Sequence, residues 1–165
     1  MLHWHAPCGC QDATPESLAE ADLAVSSDPN SAVAHGARGG ARLWAGRPRD
    51  AIAPLQTAMR LSPFDPLIPF WLHFMARAYY CAEDYVASIA AARQLRNSVP
   101  NFRQIYNTLI AALGQTGEID EARVVMAEAL ERFGEGFQTL HVAAALDELR
   151  ELRPEDREHM IDGFR

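Results

Sequence analysis

The sequence predicts an all-α protein that is built as a stack of helical hairpins. In residues 101–134, NFRQIYNTLIAALGQTGEIDEARVVMAEALERFG, apolar side chains recur at helical spacing in two runs, and Gly117 separates the runs as a helix stop. Neither helix can bury its apolar stripe alone, and such hairpins are normally units of a stack. Related turn sequences begin 34 residues upstream, at Glu83, and a further 37 residues upstream, at Gly46. The spacing therefore predicts repeated hairpins.

Two positions of each unit carry mostly small side chains, as the close approach of helix axes requires. The first follows the turn and the second lies seven residues later: Ala51, Ser88 and Ala122, then Ala58, Leu95 and Ala129. With the 34-residue period, this pattern resembles the tetratricopeptide repeat (TPR) over residues 17–134. His35 and Leu72 depart from it, because the motif usually has Trp there. The resemblance implies a right-handed α-α superhelix (TPR solenoid) of about three and a half hairpins with a C-terminal helical cap.

The first part of the chain departs most from the repeat. Residues 1–13 form an irregular N-terminal segment in this interpretation, since Pro7 and Gly9 disfavour a full helix. We expect Thr14 to cap a helix from Pro15 to about residue 27, which makes residues 14–31 a half unit.

The first full unit covers residues 32–65, and its first helix contains three glycines. Gly36, Gly39 and Gly40 each cost about 1 kcal/mol relative to Ala in a helix interior, so we expect this helix to be the least stable. A phosphate-binding loop is the alternative interpretation of GARGG, but it needs a preceding strand, and the sequence shows none.

The segment between the first two units is three residues longer than the period requires. Asp65 can cap the next helix with Pro66 at its first position, so we expect that helix to be about one turn longer. The following units are residues 69–102, which hold most of the aromatic side chains, and residues 103–136. We predict that residues 137–165 form helices that cap the stack with a polar outer face.

Two short segments carry a closer resemblance. LSPFDP at residues 61–66 and DGFR at residues 162–165 resemble segments of the TPR region at the C-terminus of bacterial class III adenylate and guanylate cyclases. This resemblance implies a regulatory module. It does not imply cyclase activity, because the catalytic domain of that family lies upstream of the TPR region.

Composition limits the partners and the compartment that we expect. The net charge is −7 and all 15 basic residues are Arg, which argues against a nucleic-acid backbone as the partner. The N-terminus does not resemble a signal peptide, and no apolar run reaches the length of a membrane span. Three cysteines are an odd count that fits a reducing compartment better than a disulfide framework. We therefore expect a cytoplasmic protein, of bacterial type by the resemblance.

Candidate chemistry is sparse, and we expect neither catalysis nor a cofactor. His3, His5, Cys8 and Cys10 are metal-ligand types, but their spacing lacks the usual two-residue gap between paired cysteines. A metal-dependent enzyme that uses this cluster is thus a minor alternative. Asp147 and Glu148 near His141 could form an acid–base set, but a solvated helix face explains them better. No nucleophile elbow, HExxH motif or Walker loop occurs.

The remaining candidate site is the concave groove that the resemblance implies on the first helices of successive units. Arg and aromatic side chains there are typical anchors of a recognition surface, and amides can bond a peptide backbone. The predicted groove residues are Trp44, Phe70, His73, Arg77, Tyr80, Asn107 and Gln115. The predicted function is a non-catalytic protein–protein interaction or regulatory scaffold that binds a peptide segment. A homo-oligomerisation module, for instance a homodimer, is the alternative.

Overall fold

Residues 13–134 are described by a computed structural model, and they form seven α-helices joined by short turns. The helices are α1 (Pro15–Ser27), α2 (Ala32–Trp44), α3 (Pro48–Leu61), α4 (Ile68–Cys81), α5 (Tyr85–Ser98), α6 (Arg103–Thr116) and α7 (Ile119–Phe133). No strand occurs in this part of the chain. The predicted all-α superhelix of hairpins is confirmed. Residues 1–12 of the predicted irregular segment and the predicted cap at 137–165 lie outside the described residues.

The helices pack as a stack in which each helix contacts the next one along the chain. Three hairpins follow α1: α2 with α3, α4 with α5, and α6 with α7. Across units, α2 also packs on α4, and α4 packs on α6. These contacts are closer than those of α3 with α5 or of α5 with α7. We call α2, α4 and α6 the inner helices, and α1, α3, α5 and α7 the outer helices. The inner helices together form one continuous surface, which we call the inner face.

The three hairpin turns repeat one backbone geometry. Gly46, Glu83 and Gly117 all have left-handed backbones, with φ of 72°, 66° and 78°. The residue after each of these three donates its backbone N–H to the carbonyl five residues earlier, at 2.9 Å. The pairs are Arg47 to Arg42, Asp84 to Tyr79, and Glu118 to Leu113. This pattern satisfies helix-end carbonyls that would otherwise lack partners. Glycine adopts such a backbone without strain, whereas Glu83 carries a Cβ there.

The start of α1 confirms the predicted cap, whereas the end of α4 corrects one expectation. Thr14 accepts a hydrogen bond from the Ser17 N–H at 3.2 Å, and Pro15 occupies the first helical position. Cys81, the last residue of α4, is disulfide-bonded. The expectation of reduced cysteines is therefore wrong for this residue.

The longer segment between α3 and α4 does not lengthen α4, so that prediction is wrong. Helix α4 has 14 residues, as do α3, α5 and α6, and it begins at Ile68. Asp65 does not cap it; its Oδ1 accepts from the Leu67 N–H at 2.9 Å, and its carbonyl accepts from the Ile68 N–H at 3.0 Å. A local turn thus absorbs the extra residues.

Small residues sit where the helices approach most closely. The six positions predicted for close packing, Ala51, Ser88, Ala122, Ala58, Leu95 and Ala129, are all buried. The Ser88 hydroxyl donates to the Ala76 carbonyl at 2.9 Å, which joins α5 to α4. A Cβ on Gly39 would lie 2.8 Å from Leu55 Cδ2, and one on Gly36 would lie 2.7 Å from Trp71 Cε2. These glycines therefore permit the contacts of α2 with α3 and α4.

Candidate functional site

The seven predicted groove residues all belong to the inner helices. Trp44 ends α2, four residues lie in α4 and two lie in α6: Phe70, His73, Arg77 and Tyr80, then Asn107 and Gln115. The structure divides most of them into three local groups. Each group joins a side chain of α4 to a neighbouring helix or turn.

The first group joins α4 to α2. The Arg77 guanidinium carbon lies 4.7 Å from the centroid of the Trp44 ring, which is a cation–π contact. The Phe74 ring packs edge-on against the Trp44 ring, with centroids 6.3 Å apart. The Trp44 ring thus covers one side of the Arg77 guanidinium.

The second group is an exposed apolar surface at the N-terminal end of α4. The Phe70 ring packs edge-to-face on the Phe102 ring, with centroids 5.6 Å apart, and Phe70 is 51% exposed. Leu67, one turn earlier along the chain, is 37% exposed. We call Leu67, Phe70 and Phe102 the aromatic shelf. Exposed apolar groups that adjoin one another in this way are typical of contact surfaces.

His73 lies beneath the aromatic shelf and is buried. Its ring is 5.3 Å from the Phe102 ring and 5.8 Å from the Phe74 ring. Burial, assisted by the nearby Arg77 charge, lowers the pKa of His73 to about 4. Its Nδ1 is buried and has no hydrogen-bond partner among residues 13–134. His73 is therefore neutral near pH 7 and offers little surface to a ligand.

The third group joins α4 to α6 at the other end of the inner face. Tyr80 forms a side-chain hydrogen bond with Gln115, and its ring lies 5.5 Å from that of Tyr85. Burial raises the pKa of Tyr80 against the opposing effect of the Gln115 hydrogen bond, so the phenol stays protonated at neutral pH. Asn107 is half-buried, and its Oδ1 has no partner within the described part of the chain.

The sequence pattern did not predict Phe102 as a site residue, although its ring contacts Phe70 and His73. Phe102 occupies the N-cap position of α6, and Leu67 occupies that of α4. Both positions lie outside the helical pattern from which the groove was predicted. An apolar residue just before successive inner helices is the signal that could have indicated the aromatic shelf.

Among residues 13–134, no cluster of three or more His, Cys, Asp or Glu side chains could hold a metal ion. The predicted ligands His3, His5, Cys8 and Cys10 lie outside the described residues. None of the seven helices is long and apolar enough to cross a membrane.

Comparison with solved structures identifies similar folds. Two structures of MamA, a TPR-containing protein, match with TM-scores of 0.64 and 0.66 at 23% and 18% sequence identity. The first match covers 71% of this chain and 62% of that chain, and the second covers 89% and 82%. The chain thus spans less than two thirds of the first MamA structure. No family model and no curated protein matches the sequence. The likeness supports a TPR-like helical fold.

Proposed function

We propose that this protein is a non-catalytic protein-interaction or regulatory scaffold that binds a peptide segment along the inner face. The observation that carries the proposal is the continuity of that face. The inner helices pack on one another, and they carry an exposed aromatic shelf, an Arg that lies on a Trp ring and a Tyr–Gln pair. Aromatic and Arg side chains are enriched among the few residues that carry most of the binding energy at protein interfaces. The TPR-like fold shared with MamA supports a scaffold role.

The groups have different roles in the proposed complex. Phe70 is the apolar anchor, because half of its surface is exposed while its other side rests on Phe102. Arg77 supplies a directed cation, and Gln115 and Asn107 supply amides for a peptide backbone. His73 supports the shelf from below and does not itself contact the ligand.

The test uses a peptide selected from an unbiased display library and measures its affinity by fluorescence anisotropy. Phe70→Ala should weaken binding about tenfold or more, which is the loss typical of an interface anchor. Val86→Ala is the matched control, because Val86 is 74% exposed and lies on the outer helix α5. Equal loss in both variants, or none in either, would count against the inner face. Circular dichroism melting checks that both variants fold.

Self-association is a second candidate function. Leu23 on α1 and Val33 on α2 are exposed apolar residues at the N-terminal end of the described stack, where a second copy could cover them. Light scattering over a concentration series tests this candidate. A mass that stays at one chain would remove it.

We also propose a regulatory context and a cytoplasmic location for this protein. The resemblance of residues 61–66 to cyclase-associated TPR regions favours a regulatory role beside another domain. The cytoplasmic location likewise remains a prediction, and fractionation of cells that express the tagged protein tests it.

A further inference from the structure

The disulfide of Cys81, at the end of α4, identifies a part of the chain that can reach the inner face. Cys81 is disulfide-bonded, and the sequence contains three cysteines, of which the other two are Cys8 and Cys10. Both precede the described residues 13–134. A disulfide within one chain therefore joins α4 to residues 1–12.

The start of α1 lies at the same end of the stack as Cys81. Asp22 of α1 pairs with Arg42 of α2 at 3.1 Å, and a short turn connects the two helices. The helices are thus antiparallel, and the first turn of α1 lies level with the last turn of α2. Trp44 ends α2 and contacts Arg77, which precedes Cys81 by about one helical turn. The start of α1 and the end of α4 therefore flank the end of α2.

The chain before Thr14 is long enough for this disulfide. Packed helices lie roughly 8–10 Å apart, so the two steps from α1 to α2 and from α2 to α4 span about 16–20 Å. At roughly 3.3 Å per residue, an extended chain covers about 13 Å from Thr14 to Cys10 and about 20 Å to Cys8. The disulfide joins Cα atoms about 5.5 Å apart. Cys8 therefore reaches Cys81 with chain to spare, and Cys10 reaches it when the chain is almost fully extended.

The position of Cys81 places its bonded partner on the inner face. Cys81 follows Arg77 by four residues, and side chains at that spacing are neighbours on one face of a helix. The aromatic shelf lies at the other end of α4. Phe70 and Cys81 are 11 residues apart, which is about 16 Å at ~1.5 Å per residue.

The apolar residues that precede Cys8 match this distance. Trp4 and Leu2 lie four and six residues before Cys8, which is about 13 and 20 Å of extended chain. Alternate side chains of an extended segment point to the same side, so Leu2 and Trp4 would face one surface together. A segment that runs from Cys81 towards Phe70 would thus bring two large apolar side chains to the aromatic shelf.

We propose that residues 1–12 are an intramolecular ligand of the inner face, held there by the Cys81 disulfide and released when the disulfide is reduced. Leu2 and Trp4 cover the aromatic shelf, so the closed form excludes the peptide of the proposed function. A tethered segment competes at a high effective concentration, and weak contacts therefore suffice to keep it bound. This inference rests on the proposed function for the competing peptide and adds its regulation.

Release requires a dithiol as the reductant. The dithiol gives up two electrons and two protons as its own disulfide forms, and the two cysteine sulfurs take them up and separate as thiols. A low-molecular-weight disulfide reverses the change: it is reduced to two thiols while the cysteine pair is oxidised.

The first experiment tests the bond itself. The full chain is treated with oxidised glutathione, alkylated, digested without reduction and analysed by mass spectrometry. We expect Cys81 linked to Cys8 or Cys10, with the remaining cysteine alkylated or joined to glutathione. An alkylated or glutathione-bound Cys81, or a bond between Cys81 residues of two chains, would overturn the proposal.

Photo-crosslinking tests the coverage without any peptide ligand. A benzophenone amino acid at position 70 of the oxidised protein should crosslink to residues 1–12 of the same chain, and treatment with dithiothreitol should abolish this product. The same amino acid at position 86, on the outer helix α5, is the control and should give no such product. Absence of the product from position 70 in the oxidised protein would overturn the proposal.

Peptide affinity then measures the regulation. The oxidised protein should bind the selected peptide about tenfold more weakly than the reduced protein, as expected when about one molecule in ten is open. Cys81→Ser cannot form the bond, so it should bind as tightly as the reduced parent with or without dithiothreitol. Leu2→Ala/Trp4→Ala keeps the disulfide and removes the anchors, so its oxidised form should regain most of the lost affinity. A response of Cys81→Ser to dithiothreitol equal to that of the parent, or no recovery in the double variant, would overturn the proposal.

The outcomes separate this inference from the proposed function. Equal peptide affinity of the oxidised and reduced proteins, with a loss in Phe70→Ala, would keep the proposed function and overturn the inference. Crosslinking of residues 1–12 to position 70 in a protein for which no peptide is enriched would keep the intramolecular ligand and overturn the proposed function.

Discussion

Gly36 offers a sharp test of the packing that shapes the inner face. In the structure α2 approaches α4 so closely that a Cβ on Gly36 would lie 2.7 Å from Cε2 and 2.9 Å from Cδ1 of Trp71. Trp71 is only 3% exposed, so its ring cannot move aside freely. Helix propensity alone would make Gly36→Ala stabilising by about 1 kcal/mol. Overpacking in a tight core costs roughly 1–3 kcal/mol, and this overlap belongs at the upper end.

We therefore expect Gly36→Ala to lower the free energy of unfolding by about 2 kcal/mol, measured by urea denaturation. Gly114→Ala is the matched control, because Gly114 lies in the inner helix α6 and nothing lies within 4 Å of an added Cβ. That variant should be more stable than the parent by up to about 1 kcal/mol. If both substitutions stabilise the protein equally, the close approach of α2 to α4 is refuted.

Two further predictions concern the turn at Glu83 and the buried His73. Glu83→Gly should raise the free energy of unfolding by about 0.5–1 kcal/mol, because glycine adopts the left-handed backbone with φ of 66° without strain. Glu83→Ala is the control, because it removes the carboxylate but keeps the Cβ, and it should not raise the free energy of unfolding. Equal gains in the two variants would show that the charge of Glu83, and not its backbone, is responsible. The pKa of His73 is lowered to about 4, so the unfolded chain takes up a proton that the folded chain does not: stability is complete above pH 6.5 and falls as the pH approaches 4. The loss between pH 6.5 and 5 should be about 1.5 kcal/mol by urea denaturation and smaller in His73→Gln, whereas parallel pH profiles would contradict the burial of this ring.

Periodicity in the sequence predicted the fold because the packing constraints recur with the period. Close helix contacts need small residues, and Ala51, Ser88 and Ala122 stand at equivalent positions in successive units. The same period places Glu83 at the turn position that Gly46 and Gly117 occupy. Its strained backbone could therefore have been anticipated from the alignment of the turns alone.

The segment before α4 misled the prediction for a local reason. Asp65 followed by Pro66 matches a helix start, but the same Asp can accept a hydrogen bond from the N–H two residues later. The structure has the second arrangement, with the Asp65 carboxylate accepting from Leu67. Sequence pattern cannot separate these two arrangements, because both satisfy the same side-chain oxygen.

The candidate site could be predicted only in part. The resemblance to the TPR placed all seven residues on the inner helices, but it could not show that His73 is covered, since the covering ring belongs to Phe102 in the turn before α6. It also could not show that Arg77 rests on Trp44, a contact between side chains 33 positions apart. Contacts between units depend on the distance between helices, which periodicity alone does not give.

Photo-crosslinking tests most directly whether the inner face binds a peptide. A benzophenone amino acid is placed at position 70 on the aromatic shelf or, in a separate protein, at position 86 on the outer helix α5. Each protein is irradiated with the selected peptide, and the products are identified by mass spectrometry. We expect crosslinking from position 70 that excess unlabelled peptide suppresses, and no crosslinking from position 86. Crosslinking from position 86 alone, or equally from both positions, would contradict it.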